Sequence, residues 1–163
     1  MHDESLQLMQ GFINKYLNPN ERLNILDVGS QNINGTYRGF FTPNCNWTYT
    51  GGDTAQGSNV DIVFKEPYDW NLSEQYDVII SGQTLEHVED THRFILEIKK
   101  HLKVDGLLCI IVPNCANEHK CPVDCWRVFP DGMNFLLKEI ANFEILEVYM
   151  YKNDTIGIAK NRE

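Results

Sequence analysis

Two nearly continuous apolar runs, Tyr76-Asp-Val-Ile-Ile-Ser81 and Gly106-Leu-Leu-Cys-Ile-Ile-Val112, constrain the fold of this chain more than any other feature. A run without polar alternation suits a strand covered on both faces, as the central strands of a parallel sheet are. Between the two, Phe94, Ile95, Ile98 and Leu102 recur at helical spacing behind Asp90-Thr91, an N-cap signal, and the pattern stops before Asp105-Gly106. Strand, helix and strand in that order make a crossover unit, so the chain reads as α/β.

The same reading extends outward. Leu6, Met9, Phe12, Ile13, Tyr16 and Leu17 predict an amphipathic helix over 4–17, ended by Asn18-Pro19-Asn20. Further strands are expected at 23–28, 47–51 and 60–64. Asp131 can cap a helix carrying Met133, Phe135, Leu136, Leu137 and Ile140, and strands at 143–151 and 155–160 are joined by a turn at Asn153-Asp154. Five α/β units closed by an antiparallel pair predict a seven-stranded, mostly parallel sheet with helices on both faces. No repeat, linker or low-complexity tract interrupts it, and 163 residues with 42% hydrophobic content suit one domain over 1–163, with an N-terminal helical region at 1–20.

Where the first two strands end, the residues are acidic. Leu23-Asn-Ile-Leu-Asp-Val-Gly29 runs from strand into Asp27 and a glycine, and Trp47-Thr-Tyr-Thr-Gly-Gly-Asp53 ends on a second acid. The interval matches the one at which nucleotide folds place a ribose-binding carboxylate, so the pair predicts a nucleoside site. The loop from Gly29 to Gly35 lacks the intervening glycines that close approach to a pyrophosphate requires, which disfavours a dinucleotide.

Charge narrows the partners. With 14 Lys and Arg against 23 Asp and Glu the formal charge is −9, which argues against nucleic acid and anionic membranes and for a small or neutral substrate. No apolar stretch approaches a membrane span and Met1-His-Asp-Glu lacks the pattern of a signal peptide, so a cytoplasmic location is expected. The five cysteines, Cys45, Cys109, Cys115, Cys121 and Cys125, read as reduced thiols. Three of them bracket His119, but without a Cys-x2-Cys pair the expectation is loop cysteines and no metal.

Leu26-Asp27-Val28-Gly29-Ser30, Gly52-Asp53, Tyr76-Asp77-Val78-Ile79-Ile80-Ser81, Leu85-Glu86-His87-Val88-Glu89-Asp90 and Leu102-Lys103-Val104-Asp105-Gly106, in this order and spacing, resemble the class I S-adenosylmethionine-dependent methyltransferases. The resemblance covers nearly the whole chain. The Glu86-His87-Val88 element is similar to the small-molecule, type 11-like branch, and Gly29-Ser30, Asn34-Gly35 and Pro122 to Arg127 to enzymes of polysaccharide biosynthesis clusters. It implies a Rossmann-like transferase with S-adenosyl-L-methionine as cofactor. Asp27 would meet the methionine ammonium, Gly29, Ser30 and Gly35 would pass close to the ligand, and Asp53, with Thr54 beside it, would accept the ribose hydroxyls. Glu66 would stand near the adenine, and Ser81, Gly82 and Gln83 near the methionine arm and methyl.

A hydroxyl acceptor needs a base near the methyl. His87, His119 and Asp124 are the candidates, with Asp124 orienting His119. The loop at 115–130 then becomes the acceptor side, where Trp126 and Arg127 suit the apolar faces and hydroxyls of a sugar. The expected reaction is O-methylation of a sugar, a glycan or another small hydroxylated molecule, a glycan modification, in a site open to a polymer end or completed by a neighbouring domain or a homodimer partner. Two other readings stay open: a non-catalytic nucleoside-binding or partner-regulating domain of the same fold, and an NAD-dependent oxidoreductase.

Overall fold

The computed structural model describes residues 3–163; Met1 and His2, included in the expected domain, lie outside the described residues. One sheet holds seven strands, β1 (Leu23–Val28), β2 (Trp47–Asp53), β3 (Ile62–Val63), β4 (Tyr76–Gly82), β5 (Leu102–Pro113), β6 (Glu144–Tyr151) and β7 (Asp154–Lys160). Their order is β3-β2-β1-β4-β5-β7-β6. Neighbours from β3 through to β5 pair in parallel, and β7 lies antiparallel between β5 and β6. The chain therefore walks outward from β1 to β3 and returns beside β1 as β4. That reversal opens a crevice at the carboxyl ends of β1 and β4, where open α/β sheets hold ligands.

Alternating strand residues feed two cores. Leu26, Ile79, Leu108 and Ile110 point to one face, where they meet Phe94, Ile95 and Ile98 of α3 (Thr91–His101) and Met133 of α4 (Pro130–Asn134). Ile25, Val78, Ile80, Cys109 and Ile111 point to the other, against Leu8, Met9, Phe12 and Ile13 of α1 (Asp3–Tyr16) and Phe41 of α2 (Arg38–Phe41). Burial on both faces is why β4 and β5 read as unbroken apolar runs. Asp90 caps α3 as its sequence predicts, accepting the Arg93 N–H at 3.1 Å.

Several boundaries differ from expectation. The crossover from β1 to β2 carries only the four residues of α2, and those from β2 to β3 and from β3 to β4 carry no helix. Residues 54–61 and 65–75 instead turn through Asn59 and Asn71, at φ 71° and 52°, which helical backbone excludes. β3 is trimmed to two residues. β5 begins at Leu102 rather than Gly106, because Asp105 bends the strand at φ 64° without ending it. The helix expected from Asp131 starts at Pro130 and passes into a π-helical turn, Phe135–Ile140. Among the described residues no helix is long and apolar enough to cross a membrane.

Candidate functional site

At the end of β1 the chain must turn sharply and leave room. Gly29 sits at φ +78°, and a Cβ there would lie 2.1 Å from Thr84 Oγ1, so both conformation and space require glycine. The Gly29 and Ser30 N–H groups donate to Gly52 O at 2.9 and 3.2 Å, locking the turn to β2. Gly82, at the end of β4, leaves room for Tyr37, whose hydroxyl would stand 2.0 Å from a Cβ. Tyr37 in turn shares a 2.5 Å hydrogen bond with Ser5 of α1. The three strand ends and Tyr37, backed by α1 through Ser5, thus close the floor of a cavity of about 580 Å³.

Asp27 lines that floor although it is only 3% exposed. Burial pushes its carboxyl up to about 7, against the Tyr49 hydroxyl, which donates to Oδ2, and the nearby Arg38 charge. A buried carboxyl at a cavity wall, raised in this way, is stabilised in its charged form by a cation that enters. Asp53 lies across the crevice at the end of β2 and keeps its loop in order by accepting the Gln31 N–H at 3.0 Å and the Ala55 N–H at 3.1 Å. Both acids, with Gly29, Ser30, Gly35 and Thr54, face the same cavity. Gly82 and Gln83 line it too. Gln83, at φ 57°, is tied down through its N–H to Ile111 O and its side chain to Asp154.

Ser81 and Glu66 are not brought to the cavity lining. Ser81 is buried and donates to Val28 O at 2.9 Å, bracing the end of β1 from behind. Glu66 pairs its backbone with Asp69. The wall near Glu66 is aromatic instead, with Phe64 stacked on Trp70 at 4.8 Å between centroids and Tyr68 beside them. The sequence reading missed these rings, since an aromatic in a loop gives no sign of which surface it will cover.

The opposite rim forms where residues 114–129, after β5, fold back over the turn Leu85–His87 that follows β4. Glu86 O accepts the Cys125 N–H at 2.7 Å and the Trp126 N–H at 3.2 Å, and the Trp126 indole donates to Val88 O at 2.7 Å. His87 and His119 meet at this rim edge to face, with ring centroids 5.1 Å apart, and both line the cavity. Asp124 does not. Its carboxylate accepts the His119 backbone N–H at 2.7 Å and two Arg127 N–H groups at 2.7 and 2.8 Å, while His119 Nδ1 stays 3.6 Å from it. The guanidinium holds this carboxyl well below the usual range. Asp124 therefore positions the His119 main chain more than its imidazole.

Arg127 also donates to Ala116 O, Asn117 O and Trp126 O, so its fork is spent inside the loop. Neither Arg127 nor the 44%-exposed Trp126 lines the cavity. Glu86 is a further site residue that sequence reasoning left among motif letters. It is fully buried, neither carboxylate oxygen has a hydrogen-bond partner, and burial pushes its carboxyl up to about 8. Cys115, Cys121 and Cys125 are free and exposed. Among the described residues, the group of three ligand-type side chains that converges is Glu86, His87 and His119, without a cysteine.

Comparison with known proteins matches residues 2–136 to a family described as a methyltransferase domain. The fold is shared with an S-adenosylmethionine-dependent methyltransferase from Aquifex aeolicus at 18% identity and a TM-score of 0.71, covering 96% of this chain and 89% of that one. It is shared with 1,6-didemethyltoxoflavin-N1-methyltransferase from Burkholderia thailandensis, solved with 1,6-didemethyltoxoflavin and S-adenosylhomocysteine bound, at 14% identity and a TM-score of 0.77, covering 99% and 80%. The N-methyltransferase NodS from Bradyrhizobium japonicum is similar at 16% identity and a TM-score of 0.65, covering 98% and 94%. No curated protein sequence matches the chain.

Proposed function

The chain belongs to the methyltransferase domain family, and from that premise we propose that it transfers the methyl group of S-adenosylmethionine to a hydroxyl of a sugar, a glycan or another small hydroxylated molecule. The observation that carries the cofactor is the pair Asp27 and Asp53 facing one crevice at the switch point of the sheet. Asp27 takes the methionine ammonium as a buried charged pair, and Asp53 accepts the ribose hydroxyls. The aromatic wall at Phe64 and Tyr68 suits the adenine. None of this needs the backbone donors that a pyrophosphate requires, which sets the dinucleotide reading aside.

The sulfonium then lies between Gly82-Gln83 and the imidazole rim. An acceptor oxygen aligned with the S–CH₃ bond forms the new C–O bond as the C–S bond breaks, its electron pair passing to sulfur and leaving S-adenosylhomocysteine. The acceptor proton is lost at the rim formed by His119 and His87, with Asp124 fixing the His119 backbone. Trp126 offers an exposed face to an acceptor longer than the cavity, and Arg127 holds that surface in shape. Two of the similar solved structures are N-methyltransferases, so the choice of oxygen rests on this rim. We place the reaction in the cytoplasm on the strength of the negative charge and the free thiols.

The test is product analysis with isotope-labelled S-adenosylmethionine over a panel of sugars, amines and carbon acids. Label transfer to a sugar oxygen supports the reading, and transfer confined to nitrogen or carbon removes the hydroxyl acceptor while leaving the cofactor in place.

A further inference from the structure

The rim histidines are oriented by groups that can only accept. His87 Nδ1 lies 2.6 Å from Val123 O, so this nitrogen carries the proton and Nε2 is left with its lone pair. His119 Nδ1 lies 3.0 Å from Asn117 O, a closer partner than the Arg127 nitrogen at 3.5 Å, and the same tautomer follows. Both Nε2 atoms turn toward Glu86 Oε1, at 3.6 Å for His87 and 3.9 Å for His119. Three lone-pair donors thus converge on one point beneath the cavity rim, and the carboxylate among them is fully buried with no hydrogen bond to either oxygen.

The geometry fits one atom at the centre. For zinc-class bonds of about 2.0–2.1 Å, neighbouring donors of a tetrahedral ion lie about 3.4 Å apart, and two imidazoles bound through Nε2 have centroids about 5.2 Å apart. The two imidazole-to-carboxylate separations here exceed that edge by a few tenths of an ångström, all three donors lie within 4.8 Å of one another, and the ring centroids stand 5.1 Å apart. Each ring also donates its other N–H to a backbone carbonyl, the support that metal-binding histidines ordinarily have.

We propose that Glu86, His87 and His119 form a binding site for one divalent transition-metal ion of the zinc class, with its open position facing the cavity. Two nitrogens and one oxygen favour such an ion over calcium or magnesium, which prefer oxygen ligands. The expectation of no metal was argued from cysteine and histidine spacing along the chain; this set shares only His119 with the loop pattern weighed there, because the fold brings the turn after β4 to the loop after β5. The open position would take an oxygen of the acceptor; the ion would supply Lewis acidity that lowers the hydroxyl pKa, and the proton would pass to solvent at the mouth of the cavity, so that the two imidazoles serve as ligands in place of the base role given to them above. That last assignment rests on the methyltransferase reading, whereas the metal site itself does not.

The full chain, stripped with a chelator, is titrated with Co(II) and followed by visible absorption, equilibrium dialysis and metal analysis. The expected result is one Co(II) per chain, displaced by Zn(II), with affinity lowered about a hundredfold or more in Glu86→Gln and in His119→Ala. S-adenosylhomocysteine affinity should be unchanged in both variants, showing that they fold. A triple variant with Cys115, Cys121 and Cys125 changed to serine should keep the ion. Absence of stoichiometric Co(II) uptake, or uptake lost with the cysteines and untouched by Glu86→Gln, overturns the site. Metal binding without any binding of S-adenosylhomocysteine supports the site and sinks the methyltransferase reading instead.

Discussion

Asp27 is where charge, burial and ligand meet most closely. With its carboxyl raised from 3.8 to about 7, the folded chain holds a proton that the unfolded chain has already released. The contribution to stability is therefore fully present below about pH 4 and is lost as pH rises toward 7. A cationic ligand reverses the preference, since it binds the ionised form. Affinity for S-adenosylhomocysteine should fall by up to about tenfold per pH unit below 7, and Asp27→Asn should bind weakly with no such slope. Calorimetric titrations between pH 5.5 and 8.5 check this, and a flat wild-type profile would remove Asp27 from the ammonium site. Asp27, Gly29 and Asp53 were legible in the sequence because an acid close to glycine at the end of an apolar strand announces itself. Glu86 was not. Beside Glu89 and Asp90 it looks like one more surface acid, and the sequence does not show that Cys125 and Trp126 return to bond the Glu86 carbonyl where the side chain is buried.

At the scale of elements, the segment from Asn114 to Phe129 is tied together by Arg127. Because every Arg127 contact found lies within the loop itself, its removal should act on loop order rather than on a direct acceptor contact. Arg127→Ala should lower kcat/KM on the order of ten- to a hundredfold, leave cofactor affinity intact and speed amide exchange across residues 115–127. A rise in KM for the acceptor alone, with exchange unchanged, would restore Arg127 as a direct substrate contact. The strands were readable because burial on both faces leaves unbroken apolar runs. The bend at Asp105 and the π-helical turn were not, since each depends on a partner distant in sequence: the Asp105 N–H donates to Asn161 O at 2.7 Å, and Gly157 of β7 has Met133 and Leu137 so close that a Cβ would meet them below 3 Å. The helix-free crossovers between β2 and β4 likewise depend on asparagines taking positive φ, which composition only hints at.

For the whole molecule, the order of strands decides where anything can bind. Reversal of the order of strand addition between β1 and β4, which run parallel, places both acids, the aromatic wall and the imidazole rim around one opening, and the rest of the chain serves to hold it. Ligand binding should then stabilise the entire domain. S-adenosylhomocysteine at a hundred times its Kd adds about 2.7 kcal/mol by mass action, which should raise Tm by roughly 5 °C or more for a domain of this size, while NAD should give no shift. An equal shift with NAD would revive the dinucleotide reading. The most direct measurement of the central claim is a crystal structure of the chain with S-adenosylhomocysteine. The account predicts the ammonium against Asp27, both ribose hydroxyls on Asp53, and the sulfur turned toward His87 and His119. A ligand bound elsewhere, or in this cavity with Asp27 and Asp53 untouched, would contradict it.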